Sequence, residues 1–104
     1  MSGYQGWTNY ETWCVKLWID NEEGSYDYWR ERTAEHVATI EPDDDPEHWE
    51  QRAALAQELE ASFEEWMPEV QGMWADLLRA AFQSVEWREI AATMIDDAKE
   101  EISK

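Results

Sequence analysis

The side chains best suited to catalysis or metal binding are two histidines and one cysteine, and none stands in a motif that would use it. His36 and His48 are the two histidines, and neither has zinc-ligand spacing or a Glu-x-x-His arrangement. Cys14 lies among apolar residues of a predicted helix, with no neighbour in sequence that would stabilise a thiolate. The sequence therefore predicts solvated or helix-capping histidines and a buried, inert thiol.

The acidic run 20–31 comes nearest to a calcium-binding loop. Asp20, Glu22 and Glu31 occupy positions one, three and twelve, but position six is Ser25 where the loop requires glycine. The sequence also contains no glycine-rich phosphate loop and no nucleophilic-serine motif. We therefore expect no enzymatic activity, no catalytic residues, no metal site and no cofactor.

The strongest signal in the sequence is its charge. The 104 residues include 25 acidic and 8 basic side chains, a formal net charge of −17. Direct binding of nucleic acid is not expected, because phosphate contacts need clustered Lys and Arg. With 43% hydrophobic and 13% aromatic residues, 8 of them Trp, the composition predicts a folded chain. The length predicts a single acidic helical domain over 1–104.

Three sequence features concern the compartment. No apolar run approaches the ~18 residues of a membrane span. Residues 1–10 have neither the basic start nor the apolar stretch of a signal peptide. The single cysteine cannot form an internal disulfide, which suits a reducing compartment. We therefore expect a cytoplasmic protein without a membrane partner.

Apolar residues recur at helical spacing along almost the whole chain. This spacing predicts a compact all-α domain of four or five helices with a tryptophan-rich core. Thr8 and Glu11 form a capping-box pattern that should open the first helix, which runs to about Asp20. Ser25 should cap the second helix, which should end before Pro42.

The second half of the chain predicts a longer third helix and two more. Asp45 and Pro46 should open the third helix, Pro68 should kink it or open the fourth, and Ser84 should cap the fifth. The predicted inner faces, in helix order, are Tyr10, Trp13, Cys14, Leu17 and Trp18; Tyr26, Trp29, Thr33, Val37 and Ile40; Trp49, Ala53, Ala56, Leu59, Phe63 and Met67; Val70, Met73, Trp74, Leu77, Leu78 and Ala81; and Trp87, Ile90, Ala91, Met94, Ile95, Ala98 and Ile102.

The tryptophans are expected mainly in the core. Six of them fall on these inner faces, whereas Trp7 and Trp66 should be the most exposed. A stacking platform for single-stranded bases also uses aromatic rings, but it needs a basic groove that this sequence lacks.

Acidic side chains concentrate in the middle of the chain, where residues 41–69 hold 11 acids and one base. At ~100° per residue, the glutamates at 47, 50, 58 and 65 fall within one ~80° sector of the predicted third helix. Three aspartates stand at the head of that helix. The sequence thus predicts an acidic ridge on the order of 30 Å long, made of Asp43, Asp44, Asp45, Glu47, Glu50, Glu58 and Glu65.

This acidity suggests mimicry of DNA. Duplex DNA carries one charge per ~1.7 Å, so the net charge corresponds to ~29 Å of duplex, close to the ~30–35 Å width expected for a globule of this length. The ridge would then occupy the DNA-binding groove of a basic protein. Two other interpretations stay open: acidity for solvation in a high-salt host, and a helical adaptor whose partner is basic.

Four segments resemble a known group of proteins. They are TNYETW (8–13), LWIDNEEGSYDYWRE (17–31), GMWADLL (72–78) and VEWREIA (85–91). They resemble a family of small uncharacterised proteins carried by phages, plasmids and other mobile elements, with which no activity or catalytic residue set is associated. The resemblance implies a role against host defence, a setting in which acidic DNA mimics block restriction or CRISPR complexes.

The resemblance covers both ends of the chain, and 38–68 matches less well. Either the acidic ridge is specific to this member's target, or the shared N-terminal motif is the working surface. The polar residues of that possible second surface are Asn9, Asp20, Asn21 and Glu22. We expect an inhibitor of a basic, DNA-binding host defence protein in the host cytoplasm, and a homodimer through an apolar patch stays open.

Overall fold

A computed structural model describes residues 6–41 and 46–103, and helices dominate this part of the chain. The five helices are α1 (Tyr10–Asn21), α2 (Glu23–Val37), α3 (Trp49–Glu65), α4 (Met73–Ser84) and α5 (Trp87–Ser103). The predicted all-α fold class with a tryptophan-rich core is confirmed.

Helix α5 is the element on which the bundle assembles. It packs most extensively against α3 and α2, and α1 also contacts it. Its buried side chains are Trp87, Ile90, Ala91, Met94 and Ile95. They recur every three or four residues, so one continuous stripe of α5 faces the core. These five residues all belong to the face that the sequence predicts, of which Ala98 is half-buried.

Aromatic rings from α2, α3 and α5 form the centre of the core. The fully buried Trp29 stacks on Phe63 at 5.8 Å between ring centroids, and Phe63 stacks on Trp87 at 5.8 Å. Leu55 and Leu59 of α3 pack into the same cluster. Burial of a tryptophan removes ~200 Å² from water and contributes about 5 kcal/mol before entropic costs. The aromatic stack therefore joins three helices.

The beginnings of α1 and α2 differ from prediction. Asn9, not Thr8, caps α1: its Oδ1 accepts hydrogen bonds from the Thr12 N–H at 2.9 Å and from the Thr12 hydroxyl at 2.6 Å. Thr8 instead donates to the Glu89 carboxylate. Glu22 alone, in an extended conformation, separates α1 from α2, so Ser25 lies inside α2 and does not cap it.

Three further helix ends also differ. Helix α2 ends at Val37 and is followed by turns, so Ile40, predicted on its inner face, lies beyond the helix. Helix α3 begins at Trp49 because His48 takes a left-handed conformation, φ +54°, which stops a helix from extending back to Pro46. Asp45, its predicted cap, lies outside the described residues. Ser84 ends α4 and bonds back to the Ala80 carbonyl, so it does not cap α5.

Most residues of the predicted inner face of α1 do not face the core. Ile19 and Thr12 are the buried residues of α1 and Val15 also packs against the core, whereas Tyr10, Leu17 and Trp18 are exposed. Thr12 tolerates burial because its hydroxyl donates to the Asn9 cap and accepts from the Glu86 N–H at 2.9 Å. Thr12, a polar residue with satisfied hydrogen bonds, thus lies on the core side of α1, although the apolar spacing predicted that another side of the helix faces the core.

Apolar spacing also misplaces parts of α3 and α4. Leu55 is buried although it is absent from the predicted face, and Trp49 is exposed. Helix α4 buries no residue completely: Met73, Trp74 and Leu77 stay exposed, and α4 contacts α1 and, through Phe82, the Trp87 ring of α5. The apolar side of α4 is therefore only partly covered by the other described helices.

The tryptophans divide differently from expectation. Trp29 and Trp87 are buried, and Trp66 is exposed, as predicted. The predicted core tryptophans at 18, 49 and 74 are exposed. Trp7, predicted to be exposed, packs half-buried against the core.

Candidate functional site

The acidic ridge predicted on the third helix does not form one continuous row among the described residues. Glu47 lies in the turn before α3, and the exposed Glu50 and Glu65 lie near opposite ends of the helix. Glu58 is only partly exposed and points toward α2. The remaining members, Asp43, Asp44 and Asp45, lie outside the described residues.

Glu58 is the centre of an ion-pair cluster that fastens α3 to α2. Arg32 donates through Nη2 to Glu58 Oε1 at 2.8 Å and through Nε to Oε2, and it also pairs with Glu35. His36 Nε2 lies 2.9 Å from Glu58 Oε1. The hydrogen bonds from Arg32 lower the pKa of the Glu58 carboxyl, with a smaller contribution from His36, and outweigh the partial burial that would raise it. Glu58 therefore serves the fold and is not free to meet a partner.

A row of acids along α2 replaces Glu58 as a candidate surface, and sequence reasoning overlooked it. Glu23, Asp27, Glu31 and Glu35 recur every four residues, so they lie along one side of α2 over about 18 Å. That side is opposite the buried Trp29. Glu35 pairs with Arg32, and the first three carboxylates make no hydrogen bond or ion pair with described residues. The spacing of four residues between these acids could have predicted this row from the sequence.

Helix α3 adds four exposed acids. Glu50, Glu60, Glu64 and Glu65 make no hydrogen bond or ion pair within the described part of the chain. We call them, together with the three free acids of α2, the outer carboxylates: Glu23, Asp27, Glu31, Glu50, Glu60, Glu64 and Glu65. Because α2 and α3 pack against each other, these seven side chains belong to one pair of adjacent helices.

The dimensions of the molecule revise the comparison with DNA. The longest extent is 50 Å, against 31 and 24 Å in the other directions. The net charge of −17 therefore gives about one charge per 3 Å of length, between the ~1.7 Å of a duplex and the ~3.4 Å of one of its strands. The charge per length resembles a single phosphate strand more closely than the duplex that the sequence suggested.

An aromatic cleft opens between α1, α2 and α3 with a volume of about 360 Å³. Trp18, Tyr28 and Trp66 line it and are 66%, 45% and 55% exposed, and Trp29 and Phe63 line it from the core. Trp66 packs edge-on to Phe63 at 5.4 Å and to Tyr28 at 6.2 Å. Sequence analysis placed these rings on separate helices and did not bring them together.

A second cavity, of about 400 Å³, lies between α1, α2 and α5 and is lined by several charged side chains. Lys16 binds Asp20 at 2.6 Å on one wall, and Arg30 binds Glu101 at 2.8 Å on another. Two further acids, Asp97 and Glu100, line the cavity without an ion pair among the described residues, so its lining carries more negative than positive charge.

The possible second surface at the N-terminal motif is divided by the structure. Asn9 caps the start of α1 and donates through Nδ2 to the Ser84 carbonyl at 2.7 Å. Asp20, Asn21 and Glu22 lie at the other end of α1, about 18 Å away. Asn9 therefore has a structural role, and Asp20 is paired with Lys16. Asn21 and Glu22 are exposed, and Glu22 lines the aromatic cleft.

The cysteine and the two histidines lie in separate parts of the fold. Cys14 is a free, half-buried thiol on α1, and His36 is bound to Glu58. His48, expected to be solvated or capping, is buried before α3 and lies 2.6 Å from Lys99 Nζ through its Nε2, without a side-chain capping bond. Over residues 6–41 and 46–103, no group of three or more His, Cys, Asp or Glu side chains is placed to hold a metal ion.

Comparisons with other proteins locate the chain among its relatives. In the described residues, no helix is long and apolar enough to cross a membrane. No curated protein and no solved structure matches the sequence. A family model described as "Family of unknown function (DUF7249)" matches residues 1–104, and the chain therefore belongs to this family.

Proposed function

We propose that this chain is a non-enzymatic inhibitor that occupies the DNA-binding surface of a basic protein by presenting carboxylates in place of phosphates. The observation that carries the proposal is the unpaired negative charge of α2 and α3. The net charge is −17, and the seven outer carboxylates have no intramolecular partner among the described residues.

The outer carboxylates suit a cationic partner for energetic reasons. Like charges three or four residues apart on a helix destabilise it by a few tenths of a kcal/mol per pair, and α2 and α3 accept several such pairs. A basic surface would neutralise these charges on binding and would attract the chain over long range. The internal pair of Glu58 with Arg32 leaves the outer carboxylates exposed while joining their helices.

The class of target follows from the resemblance of the N- and C-terminal motifs to proteins of mobile elements. Host restriction and CRISPR complexes bind DNA through basic grooves and act against such elements. We propose a complex of this class as the target, and the host cytoplasm as the place of action. No cofactor is needed, because blocking a groove is a binding event.

Two variants with equal charge test the proposal. The first replaces the exposed glutamates of α3 by glutamine: Glu50, Glu60, Glu64 and Glu65. The second, a control, replaces four exposed acids outside the outer carboxylates by their amides: Asp76, Glu86, Asp97 and Glu100. Each variant removes four negative charges, so a difference in affinity between the two variants reports the position of the charges and not their number.

Binding to a captured DNA-binding target is measured as a function of salt. At about 0.5–1 kcal/mol per carboxylate, the α3 variant should bind about 30- to 1,000-fold more weakly and show a flatter salt dependence. The control variant should lose much less affinity. If both variants bind as tightly as the parent, the outer carboxylates do not mimic phosphates.

The second candidate function is a helical adaptor, and α4 favours it. Met73, Trp74 and Leu77 form an exposed apolar patch on a helix that buries no residue completely, and such patches often mark protein interfaces. The double variant Trp74→Ala, Leu77→Ala should then weaken partner binding strongly, while the salt dependence of the remaining binding stays unchanged. An affinity equal to that of the parent would refute the adaptor function.

A further inference from the structure

We infer that the aromatic cleft between α1, α2 and α3 binds an arginine side chain from a basic segment of the partner protein. The inference rests on the proposed function in that it assumes a basic partner, and it assigns a specific contact within that interface. The guanidinium group would lie against the faces of Trp18 and Trp66, near the Glu22 carboxylate.

The geometry of the cleft fits one long side chain. Its volume of about 360 Å³ is open to solvent between three large rings, those of Trp18, Tyr28 and Trp66. The packing of Trp66 against Phe63 and Tyr28 holds its ring in place before a ligand arrives. A planar guanidinium stacks on aromatic faces more readily than an ammonium does, which favours arginine over lysine.

The electrostatics of the cleft favour a cation. Among its lining residues, Glu22 alone carries a charge, and its carboxylate makes no hydrogen bond or ion pair with the described residues. The faces of the rings are themselves electronegative. An anionic ligand, or a second copy of a chain with a net charge of −17, would be repelled from this part of the surface.

The chain shows the same contact at another exposed tryptophan. Trp49 is exposed, and the guanidinium carbon of Arg88 lies 5.7 Å from its ring centroid, within cation–π range. No described basic residue lines the aromatic cleft. Most described basic side chains are engaged elsewhere in the chain: Lys16 with Asp20, Arg30 with Glu101, Arg32 with Glu58, Arg52 with Asp96, and Lys99 with His48.

The test uses a defined peptide and needs no partner protein. The probe is acetyl-Gly-Arg-Arg-Gly-amide, and its neutral counterpart contains citrulline in place of arginine. Each is titrated into ¹⁵N-labelled full-length protein while the indole N–H resonances are followed, assigned through single Trp→Phe variants. Trp74, 65% exposed but outside the cleft, is the internal control ring.

The arginine peptide should shift the indole resonances of Trp18 and Trp66 and leave that of Trp74 in place, and the citrulline peptide should shift none of them. Trp18→Ala and Glu22→Gln should each weaken binding of the arginine peptide about two- to five-fold, whereas Trp74→Ala should leave it unchanged. Equal shifts at every exposed indole, equal shifts with citrulline, or no shift at all would overturn the assignment.

This outcome is separable from that of the proposed function. If the peptide binds the cleft but duplex DNA does not displace a captured partner, the arginine site is supported and DNA mimicry is refuted. If DNA displaces the partner but the peptide leaves the cleft resonances unchanged, mimicry stands and the arginine site fails.

Discussion

The replacement Glu58→Gln separates the structural carboxylates of α3 from those available to a partner. Glu58 is 22% exposed and receives two hydrogen bonds from Arg32 and one contact from His36. Fully exposed ion pairs contribute about 0.2–1 kcal/mol, and loss of one partner of a fully buried pair costs about 3–5 kcal/mol. Because Glu58 lies between these limits, we expect Glu58→Gln to lower the free energy of unfolding by about 1–2 kcal/mol.

The assay is urea unfolding followed by tryptophan fluorescence, with Glu60→Gln as the matched control. Glu60 lies two residues away on α3, is exposed and makes no ion pair with described residues. Its replacement should change the free energy of unfolding by less than about 0.5 kcal/mol, and relief of repulsion from Glu64 favours a slight gain. The midpoint of thermal unfolding of Glu58→Gln should fall by about 4–15 °C.

The pH dependence gives a second, independent readout. Arg32 lowers the pKa of Glu58 in the folded chain below the ordinary value of 4.5. The stabilisation from Glu58 is therefore complete above pH 4.5 and is lost as the pH falls through the lower folded-state pKa. The difference in stability between parent and Glu58→Gln should be constant near neutral pH and shrink in acid. Equal stability of the Glu58 and Glu60 variants at neutral pH would refute this account of the cluster.

Three further predictions concern the fold. Leu59→Ala, at a fully buried site, should cost about 2–5 kcal/mol, and Leu77→Ala at an exposed site less than about 1 kcal/mol, both measured by urea unfolding; similar costs would contradict the assigned core. Asn9→Ala should cost about 1–2 kcal/mol through the lost cap and the bond to the Ser84 carbonyl, whereas Asn21→Ala should be nearly neutral. Thermal melts should show a folded chain in dilute buffer, and a need for molar salt would favour acidity as an adaptation to a saline host.

The success of sequence-based prediction depends on how each helix is surrounded. Helix α5 is covered on one side by three helices, so its apolar stripe and its core face coincide, and the face was predicted correctly. Helix α1 contacts α4 as well as α2 and α5, so apolar residues are needed on more than one side. Apolar spacing chose the stripe of Leu17 and Trp18, and the core side contains the hydrogen-bonded Thr12.

The candidate sites were less predictable because they depend on contacts between helices. The fate of Glu58 was decided by Arg32, 26 residues earlier, which no helical spacing on α3 reveals. The turn before α3 removed Glu47 from the helix because His48 adopts a left-handed conformation. The aromatic cleft joins Trp18 and Trp66, residues that belong to different parts of the sequence and meet only after folding.

The most direct test of DNA mimicry is affinity capture from a host lysate on the immobilised chain, with elution by duplex DNA and then by salt. The variant with glutamine at Glu50, Glu60, Glu64 and Glu65 is immobilised in parallel. The proposal predicts that a DNA-binding protein, such as a component of a restriction or CRISPR complex, binds the parent, is released by duplex DNA and is retained poorly by the variant. A partner that duplex DNA does not displace and that both columns retain equally would contradict it.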